Sequence, residues 1–282
     1  MFKPAVRSKL KARMAIDGPT GSGKTYTALT AATAFANGGK IAVIDTERGS
    51  ASLYSDIFKF DVAELDYFDP LTYVEAIKAA EKAEYDVLVI DSLSHAWDGE
   101  GGALDQVDQN SARNRGNSYT AWRTVTPKHR KLVDSILRAK CHVITTMRSK
   151  MEYVMEADSS GKTSIRKVGL APIQRAGMEY EFTWVLDIDY EHTAVVSKSR
   201  ADLLADKVAN KPGVDFFEEF YDWLVIGKEP ERTKEDLLAF GEDLGLTGQD
   251  IATALKEAGV EWDPARWVLM TDTIAQFAEK VS

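Results

Sequence analysis

The stretch "GPTGSGKT", Gly18 to Thr25, sets glycines, a lysine and a hydroxyl at the spacing G-x-x-x-x-G-K-T. That pattern suits one task, holding the phosphate chain of a nucleotide. Glycines let successive backbone N–H groups close on phosphate oxygens. A helix opening at the lysine adds a favourable potential for anions. Lys24 is placed to reach the β and γ phosphates, and the Thr25 hydroxyl to ligate Mg²⁺. Gly18, Pro19, Thr20, Gly21, Ser22, Gly23, Lys24, Thr25 and the following Tyr26 are therefore the candidate nucleotide contacts.

Acids and cations at strand ends supply the rest of the candidate chemistry. Asp91 closes the apolar run "DVLVIDS". An acid at the carboxyl end of a central parallel strand lies on the ligand side of the sheet, where a second Mg²⁺-linked carboxylate belongs. The bland reading is an Asp that caps the next segment. In "VIDTE", Asp45 and Glu47 are two residues apart at a strand end. Hydrolysis needs a group that orients or deprotonates the attacking water. Glu47 reaches further and is the expected one; spacing alone leaves a solvated loop acid equally open. "AVVSKSR" ends in Lys198 and Arg200, which share a face if the strand continues, with Asp202 the only local acid. Alone, that reads as a hairpin strand ending in solvated charge.

These residues need a scaffold of alternating strands and helices. "ARMAIDG", "KIAVIDTE", "DVLVIDS" and "CHVITTMR" are apolar runs; "KTYTALTAATAFANGG", "PLTYVEAIKAAEKAEY" and "TPKHRKLVDSILRAK" have helical spacing. The expected fold is α/β, a mainly parallel sheet covered by helices on both faces. "EYEFTWVLDIDY" and "HTAVVSKS" predict a hairpin at the sheet edge. Residues 96–122 and 149–178 show no clear pattern, as functional or mobile segments often do. A linker around Pro230 divides an expected core, 1–227, from a small acidic helical module, 228–282, with Thr233 and Thr247 as helix caps and Trp262 and Trp267 as core.

Composition narrows the classes. The chain has 282 residues and a net charge of −9, which disfavours a general polyanion-binding surface. Charge is uneven, however. Ser111 to Lys140 holds eight Lys/Arg and one acid, Asp134, while Gly227 onward holds six Lys/Arg and twelve Asp/Glu. No apolar run approaches a membrane span, and the start shows no signal-peptide stretch. One cysteine, Cys141, and four unclustered histidines speak against a disulfide framework and a zinc site, and the expected location is cytoplasmic.

In the order "GPTGSGKT", "VIDTE", "VLVIDS", "ITTMRSK", "VVSKSR", the chain resembles the RecA/RadA family of recombination ATPases over about residues 10–205. "KVGLAPIQRAGMEYEFTWVLDID" looks like the RecA-like single-strand-annealing ATPases of bacteriophages in particular. The resemblance implies a RecA-like P-loop NTPase fold and an ATPase using ATP and Mg²⁺. In it Lys24 and Thr25 bind phosphate and metal, Glu47 is the catalytic carboxylate and Asp91 the Walker B acid. Thr146 takes the sensor place, where RecA carries glutamine. Lys198 and Arg200 would reach a neighbouring subunit's γ-phosphate in a homo-oligomeric ring or filament. Phe2–Ala5 fits an F-x-x-A assembly tether, but so does Phe60–Ala63.

The two patternless segments fall where the family's DNA-binding loops lie. That makes Arg113, Arg115, Arg123, Lys128, Arg130 and Lys131, then Lys162, Arg166, Lys167 and Arg175, candidate contacts to single-stranded DNA, with Tyr119 and Trp122 stacking on bases. For the helix "TPKHRKLVDSILRAK" alone, a solvated charged face is the competing reading. The resemblance implies a phage-encoded recombination or annealing protein. The acidic module is either a helical cap or a site for a single-strand-binding or replication protein. The rival functions are an ATP-dependent loader or clamp and a P-loop nucleoside or nucleotide kinase.

Overall fold

A computed structural model describes residues 9–113, 118–157, 163–227 and 233–281; of 151–157, 163–170, 265, 267, 268 and 281 it describes the backbone alone. The chain divides into two compact units, Leu10–Ile226 and one containing Gly227–Ser282.

The larger unit begins with β1 (Arg13–Gly18), α1 (Lys24–Ala36), β2 (Ile41–Asp45), β3 (Asp61–Glu64), α2 (Pro70–Lys82) and β4 (Val87–Asp91). It continues with α3 (His95–Asp98), α4 (Ala103–Arg113), α5 (Ser118–Arg138), β5 (His142–Ala157) and β6 (Thr163–Pro172). It closes with β7 (Trp184–Ile188), β8 (Thr193–Ser199), β9 (Val208–Asn210) and α6 (Val214–Val225). The strands run in the order β3-β2-β4-β5-β1-β7-β8-β9, with β6 attached to β5. Pairs from β3 to β7 are parallel, and β7–β8, β8–β9 and β5–β6 are antiparallel.

Alternation along the strands sorts the core into two layers. Met14 and Ile16 of β1, Val43 of β2, Val89 of β4, Ile144 of β5 and Trp184 of β7 face α1 and α6. Ala15, Ile44, Leu88, Ile90, Val143 and Val185 face α2 and α5. The resulting three-layer sandwich is the expected α/β class. It sets the carboxyl ends of β1, β2, β4 and β5 side by side under the N-terminus of α1.

Several elements differ from expectation, each for a physical reason. Residues 96–122 hold α3, α4 and the start of α5. Their small core, Ala103, Val107, Ala121 and Val125 against Trp97 and Trp122, is contributed by three short pieces, so no single period is long enough to read. Helix α5 starts at Ser118 and carries Pro127 inside it. Its apolar stripe, Ala121, Val125, Leu132 and Ile136, continues past the proline and overrides the break. Residues 149–157 pair with 163–172 as the β5–β6 ladder, which leaves the main sheet at Arg148. Strand β3 is exposed along its whole length, so "DVAE" shows no apolar signature. The β7–β8 hairpin is not the sheet edge, because β9 pairs outside it.

The second unit contains α7 (Lys234–Asp243), α8 (Gly248–Glu257) and α9 (Trp267–Val281) around Leu237, Leu246, Ile251, Met270 and Ile274. Thr233 and Thr247 close capping boxes with Asp236 and Asp250. Trp262 packs against this core, and the Trp267 side chain lies outside the described residues.

Trp184 joins the P-loop helix to the sheet. It is fully buried and contacts Phe35 of α1 at 6.3 Å and Phe220 of α6 at 5.0 Å between ring centroids. Trp184→Ala should destabilise the protein by about 3–5 kcal/mol, read as a lower urea midpoint. An unchanged midpoint would mean that α1 is held to the sheet by other contacts.

Candidate active site

The P-loop leaves β1 at Gly18 because nothing larger fits there. A Cβ on Gly18 would lie 2.4 Å from the Ile188 carbonyl oxygen of β7. Gly23, at φ +89°, caps α1 in the left-handed region and turns the chain into the helix. The loop then lines a cleft of about 780 Å³ together with Tyr26, Glu47, Tyr54, Phe58, Asp91, Arg148, His192 and Lys211.

Asp91 is 2% exposed and is gripped by two hydroxyls. Thr25 Oγ1 donates to Oδ2 at 2.7 Å and Thr146 Oγ1 to Oδ1 at 2.5 Å. Burial raises its proton affinity, and the Thr146 and Thr25 hydrogen bonds oppose that. The sheet order explains the grip. Strand β5 lies between the strands of the P-loop and of Asp91, so its Thr146 meets the carboxylate from the side while Thr25 reaches it from the loop. A hydroxyl and a carboxylate, both hard oxygen donors, fit Mg²⁺, and a buried carboxylate with no ion pair among the described residues is the group such an ion would satisfy. Thr25 and Asp91 would hold it.

Asp45 and Glu47 separate cleanly. Asp45 Oδ1 accepts the Glu47 N–H at 2.6 Å and Oδ2 the Ala51 N–H at 2.9 Å, so this buried carboxylate shapes the loop. Glu47 is thereby turned into the cleft, where its Oε1 meets Arg148 Nε at 3.1 Å and Nη2 at 3.0 Å. Lys24 Nζ donates to the Pro19 carbonyl at 2.8 Å. Burial lowers the Lys24 proton affinity, and Glu47 and Asp91 oppose that.

The structure therefore brings Lys24, Thr25, Glu47, Asp91 and Thr146 together. It also adds residues the sequence did not single out. Arg148 lies on β5 two residues after Thr146, and its guanidinium is a partner for Glu47. Tyr54 and Phe58 meet Tyr26 edge-on at 5.8 and 5.1 Å and form an aromatic wall. His192 Nδ1 lies 3.0 Å from the Ser22 carbonyl, so it carries the proton and donates to the loop.

The two late cations are not equivalent. Lys198 Nζ donates to the carbonyls of Glu179, Tyr180 and Phe182 at 2.9, 2.6 and 2.8 Å. Within one copy the Lys198 ammonium is thus bonded to the 3₁₀ turn Met178–Glu181 and its C-cap Phe182. Arg200 lies beyond the end of β8, is exposed and makes no side-chain ion pair among the described residues.

The candidate DNA contacts also divide. Arg113, Arg123, Arg130, Lys131 and Arg175 are exposed. Lys128 differs from them, because Asp69 and Gln106, both at 2.8 Å, hold its ammonium. Trp122 is half-buried and stacked on Trp97 at 5.7 Å, whereas Tyr119 is 80% exposed. Arg115, Lys162 and the Phe2–Ala5 segment lie outside the described residues, as do the side chains of Arg166 and Lys167.

The parallel sheet, the P-loop at the end of β1 and the acids on neighbouring strand ends define an α/β P-loop NTPase. The AAA domain family matches residues 10–210. The chain belongs to this family and is a P-loop ATPase. No curated protein matches it significantly. Among solved structures it is similar to the RadB recombinase, at 17% identity over 71% of this chain and 87% of that one, with a TM-score of 0.39. No helix among the described residues is long and apolar enough to cross a membrane.

Below the P-loop, Asp17 of β1 is 7% exposed and faces its register partner Asp187 of β7. Burial, and then the Asp187 charge, push Asp17 up to about 8. Folding therefore binds a proton that the unfolded chain releases above the ordinary carboxylate range, so this pair lowers stability progressively from about pH 4 to about pH 8. Asp17→Asn should stabilise the protein most at pH 8 and above, with the gain vanishing towards pH 4 in thermal melts. A gain independent of pH would contradict the assignment.

Proposed function

We propose that the protein is an oligomeric, ATP-hydrolysing recombination or annealing protein that acts on single-stranded DNA. The observation that carries the hydrolytic part is the convergence of Lys24, Thr25, Glu47 and Asp91 in one cleft. In this reading the P-loop N–H groups and Lys24 hold the phosphates, and the aromatic wall of Tyr26, Tyr54 and Phe58 faces the base. Mg²⁺, bound by Thr25 and Asp91, would neutralise phosphate charge. Glu47 orients the attacking water and accepts its proton. Thr146, already bonded to Asp91, relays the state of the site to β5 and the β5–β6 hairpin.

Arg200 is the cation left for a neighbouring copy's nucleotide. An arginine supplied in trans is worth about 10³ to 10⁵ in phosphoryl-transfer rate. The outer edge of β3, unpaired among the described residues, supports assembly, since such an edge can receive a segment of another chain. For DNA, the support is the exposed set Arg113, Arg123, Arg130, Lys131 and Arg175 with Tyr119, in a chain that is otherwise acidic. The acidic C-terminal unit suits contact with another replication protein, or repulsion of non-specific DNA.

Lys24→Ala should abolish ATP binding. Glu47→Gln should bind ATP but turn it over about 10² to 10⁴ times more slowly. Single-stranded DNA should raise turnover. Its binding should weaken with salt at a log–log slope of about −3.5 or steeper, for five or more neutralised phosphates. Turnover indifferent to DNA would favour the loader reading, and phosphorylation of an added nucleoside would favour a kinase.

A further inference from the structure

Charge in the cleft alternates, with Lys24 and Arg148 set against Glu47 and Asp91. These groups are answered in different ways. Asp91 is held by neutral hydroxyls and Lys24 donates to a backbone carbonyl. Only Glu47 and Arg148 neutralise each other directly, through two contacts to a single carboxylate oxygen. With two guanidinium N–H groups on Oε1, that oxygen is already taken as a hydrogen-bond acceptor and is not available to a water.

Arg148 is fixed at its backbone, and its tip is held by Glu47 alone among the described residues. Its N–H donates to Ser94 Oγ at 2.9 Å, and its carbonyl accepts the Ile173 N–H at 2.6 Å. Its register partner is Gly18, the first residue of the P-loop. The side chain is 41% exposed and that of Glu47 27%, so their pair forms a wall of the cleft and is not sealed in the core. Arg148 and Lys24 line the same cleft, so one anion bound there can meet both cations. A multiply charged phosphate chain entering this space competes with Glu47 for the guanidinium, and bidentate phosphate recognition is what arginine does well.

We propose that Arg148 distinguishes a nucleoside triphosphate from a diphosphate by exchanging the Glu47 carboxylate for the terminal phosphoryl group. Glu47 is thereby held out of action until there is a phosphoryl group to transfer. A diphosphate engages the P-loop backbone and Lys24 and leaves the Arg148–Glu47 pair intact. The consequence for catalysis rests on the proposed role of Glu47, while the binding preference does not.

The test compares ADP with a non-hydrolysable ATP analogue by calorimetry on the full chain. Arg148→Ala should weaken the analogue about ten- to a hundredfold, the range for a charge-assisted hydrogen bond. ADP affinity should hold, which also shows that the variant is folded. Arg148→Lys should recover part of the loss. Glu47→Gln, with the competing carboxylate gone, should bind the analogue more tightly than wild type, and Glu47→Gln with Arg148→Ala should lose that gain. Equal weakening of both ligands by Arg148→Ala, or no tightening by Glu47→Gln, would overturn the proposal. Normal turnover by Glu47→Gln would remove only its catalytic role, because the binding comparison does not depend on hydrolysis.

Discussion

The site depends on a carboxylate that has been taken out of water. Asp91 sits at the end of a fully buried strand with two hydroxyls as its described hydrogen-bond donors. Burying such a charge without a cation is unfavourable, and the folded chain tolerates it because Thr25 and Thr146 converge on it from two directions. That convergence ties the P-loop, β4 and β5 into one unit. It also leaves the carboxylate at the place where a nucleotide-bound metal ion would supply positive charge.

Around that centre the structure separates groups that build the cleft from groups free to act in it. Asp45 is spent on two backbone amides, and so it turns Glu47 inward. Lys198 is spent on three carbonyls, which leaves Arg200 as the free cation of that pair. Arg148 is spent on Glu47, but at an exposed wall where a phosphate can displace the carboxylate. The same logic applies on the opposite face of the sheet. There Lys128 knits α5 to the start of α2 and to α4, while neighbouring Arg123, Arg130 and Lys131 point to solvent.

Much of this was legible in the sequence where the chemistry is local. The P-loop reads from eight consecutive residues, and Asp91 reads from an apolar run that stops at an acid. Glu47 over Asp45 followed from reach alone, and the backbone amides that claim Asp45 give it a second reason. What was not legible depends on sheet order. Arg148 pairs with a glutamate 101 residues away because β5 and β2 both flank β4, and no spacing rule encodes that. Lys198 looked equivalent to Arg200 because two-residue spacing implies a shared face. The strand ends between them, and the carbonyls that capture Lys198 come from a turn some twenty residues upstream. The helices of residues 96–122 were hidden because several short pieces share one small core.

The central claim is that the cleft in one subunit is completed by Arg200 of another. The most direct measurement mixes two variants, Lys24→Ala and Arg200→Ala, and follows ATP turnover against their ratio. Mixed interfaces then pair an intact P-loop with an intact arginine. The account predicts activity that is near zero for each variant alone and rises to a maximum in the mixture. Turnover by Arg200→Ala alone at the wild-type rate, or a mixture no more active than its components, would contradict it.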